Sequence, residues 1–201
     1  MSPCSKSTAM ATKRLALFAS GNGSNFEAIV RACRSGRIRG EVVLLVCDKP
    51  QAYVLRRAKE YGIEAFAFSA KDYASKGEYE REIVALLDSH KVDLVCLAGY
   101  MRLLSSVLLE SYGGRIINIH PSLLPAFKGA RAIEQAFEYG VKIYGVTIHF
   151  VEEAMDGGEI ISQQAFPYEG SDFDELERMI HALEHELYIN TINKLIAESR
   201  I

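Results

Sequence analysis

Apolar positions along this chain follow two rhythms in turn. Residues 14–19, 41–47, 64–68, 93–98 and 115–119 are short apolar runs, the pattern of strands buried on both faces. Between them apolar residues fall at helical spacing. Phe26, Ile29, Val30 and Cys33 share one face, and residues 52–61, 79–90 and 130–139 repeat the pattern, with Ile83, Leu86 and Leu87 together on one side. Two more strand-like runs, 144–151 and 159–166, flank a short turn, which predicts that they pair antiparallel. A last helix is expected to begin near Asp172, its entry marked by Ser171 with Asp174 three residues on. Phe173, Leu176, Ile180, Leu183 and Leu187 give it an apolar stripe. The alternation predicts an α/β fold: an open, mostly parallel, Rossmann-like sheet, helices on both faces, and an antiparallel strand near the C-terminus. Neither a repeat nor a linker interrupts it, so residues 13–201 read as one domain.

Composition narrows the function. A net charge of −3 over 201 residues gives no electrostatic case for a nucleic-acid partner. The four cysteines, Cys4, Cys33, Cys47 and Cys96, form no CxxC pair and read as reduced core thiols of a cytoplasmic protein. Residues 1–12 carry no apolar stretch long enough for a signal peptide or membrane span, and read as a disordered leader outside the domain. No set of residues has metal-ligand spacing, so no metal is expected.

The chemistry concentrates where the 115–119 run ends, at Ile117-Asn118-Ile119-His120-Pro121-Ser122-Leu123-Leu124-Pro125. Side chains at i and i+2 of a strand share a face, so Asn118 and His120 should aim into one place. An amide donor beside an imidazole suits stabilising and protonating an oxyanion in acyl transfer; strand-end Asn and His also commonly satisfy turn backbone. Asp156, in Met155-Asp156-Gly157-Gly158, would orient and charge the imidazole.

Ser20-Gly21-Asn22-Gly23-Ser24-Asn25 lies between the first strand and helix, where backbone N–H groups and the helix dipole favour an anion. Ser24 could also cap that helix, and a plain βα turn is the simpler alternative. A dinucleotide loop is a rival, with Asp48 as the ribose-binding acid, but Phe26 stands where its third glycine belongs. A monophosphate cradle fits better. Residues 98–104 follow a buried strand, with Met101, Leu103 and Leu104 as apolar walls and Arg102 as a cation. His149 reads as a structural strand histidine with a supporting role as the alternative, and Glu184 and His185 as solvated helix residues.

Together NIHPSLLPAFKG, GVTIHFVEEAMDGGEII, LAGYMRLL and SGNGSN resemble the glycinamide ribonucleotide formyltransferases, folate-dependent enzymes of purine biosynthesis. The similarity runs from about Lys13 to near the C-terminus. It implies a formyltransferase fold with Asn118, His120 and Asp156 as the catalytic set. It implies 10-formyltetrahydrofolate as cosubstrate, held by Tyr100, Met101, Arg102, Leu103, Leu104, Asn118, Val151, Met155 and Asp156. Glycinamide ribonucleotide would sit on Gly23, Ser24, Asn25, Gly99 and Glu184. Both partners are small molecules; no membrane is involved, and a homodimer is compatible with the sequence.

This chain departs from the best-known bacterial members after the catalytic strand, where Lys128 replaces a proline and Arg131 a histidine. A methionyl-tRNA formyltransferase would add a C-terminal domain and a basic surface, which this sequence does not show. A formyltetrahydrofolate hydrolase would use the same three residues with water as acceptor and usually carries an N-terminal regulatory domain. A non-catalytic nucleotide sensor would need the phosphate loop but not the three residues.

Overall fold

Leu15 and Leu17 point to one side of the first strand and Ala16 and Phe18 to the other, and all four are buried. A run with no polar face can be satisfied only inside a sheet covered on both sides. The computed structural model describes residues 12–201, so the leader expected over 1–12 falls outside the described residues apart from Thr12. In order the elements are β1 (Lys13–Phe18), α1 (Ser24–Arg34), β2 (Gly40–Cys47), α2 (Tyr53–Glu60), β3 (Ala65–Ala67), α3 (Lys76–Ser89), β4 (Leu94–Leu97), α4 (Ser106–Tyr112), β5 (Ile116–His120), α5 (Ala132–Tyr139), β6 (Ile143–Phe150), β7 (Ile160–Pro167) and α6 (Phe173–Ala197).

The seven strands form one sheet in the order β3-β2-β1-β4-β5-β6-β7. The pairs from β3 to β5 are parallel, and β6 runs antiparallel to both β5 and β7. This is the architecture the apolar rhythm predicted, with β6 as the reversed strand. Chain order switches direction between β1 and β4, the crevice where open α/β sheets place ligands.

The two faces are covered differently. One core joins the sheet to α1, α2, α5 and α6. The other is drawn from β1, β2, β4, α3, α4 and the start of β5, as in Phe18, Val46, Ile83, Leu108 and Ile116. Beyond it, on that face, β5 and β6 carry Asn118, His120, Thr147 and His149, and loops lie over them.

One helix boundary and one short helix differ from the sequence reading. The α6 cap is Asp172, whose side chain accepts from the Glu175 N–H at 3.1 Å, one residue later than the Ser171 signal. Helix α4 has no counterpart among the elements predicted from periodicity and is only seven residues long. Its N-cap is Ser105, whose Oγ accepts from the Val107 N–H at 3.3 Å.

Helix α6 is fixed to the sheet at mid-length. The buried Tyr188 hydroxyl donates to the Leu97 carbonyl at 2.9 Å and lies 3.3 Å from that of Ile117. Cys33, Cys47 and Cys96 are free thiols. Burial, reinforced by Glu41, pushes the Cys33 thiol up to about 12, which keeps it from the reactive thiolate form. Among the described residues no helix is long and apolar enough to cross a membrane.

Replacing Tyr188 with Phe keeps the ring and removes the bond to β4. We expect a loss of about 0.5–1.5 kcal/mol in unfolding free energy by urea titration. No loss would mean that ring packing alone holds α6.

Candidate active site

Strand pairing assembles the first half of the site. Asn118 stands opposite His149, and His120 opposite Thr147, and directly opposed residues share a face. Asn118 Nδ2 lies 3.2 Å from His149 Nε2, while His149 Nδ1 lies 2.8 Å from the Phe150 carbonyl. A carbonyl can only accept, so Nδ1 carries the hydrogen and Nε2 receives one from the Asn118 amide. His149, read from sequence as a structural residue with a supporting role as the alternative, lies against Asn118 and is placed to orient it.

Two loops supply the second half. His120 is 5% exposed; its Nε2 donates to the Phe127 carbonyl at 2.8 Å, and its Nδ1 is 3.6 Å from Asp156 Oδ1. The other Asp156 oxygen accepts from the Gly129 N–H at 2.6 Å, and Oδ1 is also 4.0 Å from His149 Nε2. Asn118, His120 and Asp156 therefore lie together, the first two on one strand face as the i, i+2 spacing implied. The Phe127 carbonyl and Gly129 amide were missed because backbone groups leave no side-chain signal. Arg131 points elsewhere: its side chain is 70% exposed and faces Glu134 at 3.6 Å and Glu138 at 4.0 Å.

The Asp-Gly-Gly turn has a steric reason. Gly158 has a φ of +86°, and a Cβ there would lie 2.2 Å from the Phe150 carbonyl oxygen. The turn can close this tightly only without a side chain, and the closure carries Asp156 (φ 46°) back across the sheet face to His120. The turn after β5 is held from beneath by the buried Thr147. Its Oγ1 donates to the Ser122 carbonyl at 2.7 Å and accepts from the Leu124 N–H at 3.1 Å.

At the carboxyl end of β1, Gly23 is the α1 N-cap in the left-handed region, and no side chain caps the helix. Ser24 is the first helical residue rather than the cap. The first N–H groups of α1 are therefore free of a side-chain acceptor within the loop. Arg57 braces the loop through the Asn22 carbonyl at 2.9 Å and Oδ1 at 2.8 Å. Asn25 is buried and its Nδ2 donates to Glu184 Oε2 at 3.0 Å, which leaves the Asn25 Oδ1 without a partner. His181 Nδ1 lies 2.9 Å from the same Glu184 oxygen, and that hydrogen bond raises the His181 pKa above 6.5. Glu184 is therefore buried and shared, rather than solvated.

After β4, Gly99 takes a φ of +79° and Tyr100 is buried, whereas Met101 and Leu103 are 71% and 55% exposed. Leu104 and Val151 are half-buried against the second core. Met155 is exposed, near Gly129. Arg102 is not a free cation: its Nε donates to Asp48 Oδ2 at 2.8 Å. Asp48 is itself buried and engaged, so it is not open to a ribose, and the dinucleotide reading loses its acid. No group of three or more His, Cys, Asp or Glu among the described residues is arranged to hold a metal.

A family model described as Formyl transferase matches residues 13–192. The chain belongs to the formyl transferase family. It is 51% identical over 185 residues to the phosphoribosylglycinamide formyltransferase of Bacillus subtilis, covering 92% of this chain and 95% of that protein. The Escherichia coli enzyme of the same name is 39% identical over 170 residues, 84% of this chain and 80% of that protein. Among solved structures, phosphoribosylglycinamide formyltransferase from Bacillus halodurans superposes with a TM-score of 0.89 at 50% identity, covering 93% of this chain and 97% of that one.

Two outcomes test this formyl transferase geometry. Gly158→Ala should cost roughly 1–3 kcal/mol in unfolding free energy, because a side chain is forced against backbone. By shifting Asp156 it should also lower turnover about 10²-fold. Turnover near wild type would show that the turn tolerates the side chain without moving Asp156. For His181 the folded pKa is raised, so its contribution is complete below its unfolded pKa and lost as pH rises through the folded value. Between about pH 6 and pH 9, wild type should therefore lose more stability than His181→Gln in parallel urea titrations. Equal losses would remove His181 from that balance.

Proposed function

We propose that the protein transfers the formyl group of 10-formyltetrahydrofolate to the amine of glycinamide ribonucleotide in de novo purine biosynthesis. The observation that carries this reading is the meeting of Asn118, His120 and Asp156 at the end of β5, in a chain so close to enzymes named for this activity. The phosphate of the ribonucleotide would sit at the α1 N-terminus on Gly23, Ser24 and Asn25, with Gly99 and Glu184 beside the rest of the molecule. The folate would lie against Tyr100, Met101, Arg102, Leu103 and Leu104, reached from the other side by Asn118, Val151, Met155 and Asp156. Both are small soluble molecules, and the reading places the enzyme in the cytoplasm.

The neutral amine attacks the formyl carbon and forms a tetrahedral oxyanion. One Asn118 Nδ2 hydrogen is held by His149, and the other is left to donate to that oxygen. The formyl oxygen would take the place of the Phe127 carbonyl as acceptor of the His120 Nε2 hydrogen, while Asp156 faces Nδ1 and orients the ring. Collapse breaks the bond from carbon to the folate nitrogen. The amine nitrogen loses a proton, the folate nitrogen gains one, and His120 is placed to carry it. The site sets no Ser or Cys nucleophile beside a base, which favours direct transfer. No step calls for a metal.

Asn118→Ala, His120→Ala and Asp156→Asn should each lower kcat by about 10²–10³ with the fold retained, since each acts chiefly in the transition state. Near-wild-type turnover in His120→Ala with normal binding of both substrates would falsify its assignment. The acceptor is tested by tetrahydrofolate release: slow with 10-formyltetrahydrofolate alone, fast once glycinamide ribonucleotide is added. Ser24→Ala should weaken the ribonucleotide and spare the folate. Fast release that ignores the ribonucleotide would favour a hydrolase.

A further inference from the structure

Asp48 takes no part in the chemistry above, yet it is 6% exposed and receives two donors. Ser20 Oγ donates to its Oδ1 at 2.5 Å and Arg102 Nε to its Oδ2 at 2.8 Å. The same Ser20 oxygen accepts from the Met101 N–H at 2.9 Å, and the Ser20 N–H donates to the Gly99 carbonyl at 3.0 Å. Ser20 is the stem of the loop 21–25; Gly99, Met101 and Arg102 belong to the loop 99–104. One hydroxyl and one buried carboxylate therefore tie the two loops together. The far end of the second loop is fixed separately. The Ser105 N–H donates to Glu80 Oε1 at 2.9 Å, its hydroxyl bonds the same carboxylate, and Glu80 is 1% exposed. A fully satisfied buried network of this kind rigidifies what it joins, because each bond lost leaves a costly unpaired group.

We propose that Ser20 and Asp48 are positioning residues that couple the two substrate sites. A ribonucleotide seated on 21–25 holds this tie in place and so tightens folate binding at 99–104, and the folate tightens ribonucleotide binding by the same factor. This rests on the assignment of those two loops to those two ligands. A clamp that merely supported the fold would lower both affinities and leave the coupling factor unchanged.

The test titrates tetrahydrofolate, which has no formyl group to transfer, into the protein with and without saturating glycinamide ribonucleotide. In wild type the ribonucleotide should tighten tetrahydrofolate binding by about fivefold or more. In Ser20→Ala and Asp48→Asn the factor should fall towards one, and Ser20→Thr, which keeps the hydroxyl, should retain it. Arg102→Gln keeps an N–H donor for Asp48 and leaves the Ser20 bond in place, and it should reduce the factor in part. A wild-type factor of one, or a factor that survives in all three disrupted variants, overturns the proposal. Leu103→Asp puts a charge on the exposed folate wall. If it binds tetrahydrofolate like wild type, the assignment of folate to this loop fails and the coupling claim fails with it. If it weakens binding while the coupling survives in the other variants, only the coupling claim fails.

Discussion

Strand β6 runs against both neighbours, and the placement of the polar groups follows from that reversal. Because it pairs antiparallel with β5, Asn118 meets His149 and His120 meets Thr147 on one sheet face. Because its end lies beside the start of β5, with the Val151 N–H on the Ile116 carbonyl at 2.9 Å, the chain must fold back to approach His120. The Asp-Gly-Gly turn makes that return. Had β6 been parallel, its following loop would have emerged at the His120 end of β5, and no return turn would be needed. The helices α3 and α4 stop short of this region, so polar side chains there face loops instead of an apolar layer.

Several polar groups at the end of β5 are held by more than one contact. Thr147 supports the turn after β5 from below, and the Gln163 side chain reaches both its oxygen at 2.9 Å and the Leu124 carbonyl at 3.0 Å. Phe150 accepts from His149 and at the same time forms the floor on which Gly158 rests. Such overlap limits how far these side chains must move when a ligand arrives, and preorganised donors are what electrostatic catalysis requires.

The fold was legible because apolar period separates strands from helices without reference to partners. Asn118, His120 and Asp156 were legible because a short motif on a strand end and a glycine-rich turn each carry a local geometric meaning. What escaped was pairing. His149 sits in a strand like any other, and its role depends on the register between β5 and β6, which neither segment encodes alone. The pairing of Arg102 with Asp48 carries no local signal because the two are 54 residues apart. The Phe127 carbonyl and Gly129 amide are backbone, which every residue has and no sequence pattern marks. The shift from Ser171 to Asp172 is a single-residue boundary matter, the scale at which helix ends are ordinarily uncertain.

The apolar side chains that stand out at the rim have a thermodynamic consequence. Met101, Leu103 and Met155 are 71%, 55% and 51% exposed, so a ligand that covers them withdraws apolar surface from water. Such burial shows most reliably as a fall in heat capacity on binding. Methionine is also unbranched and polarisable, and it fits irregular outlines by changing rotamer. A flat ring pressed against these residues can therefore be followed by calorimetry at several temperatures, where the slope of enthalpy against temperature reports how much of the rim has closed over it.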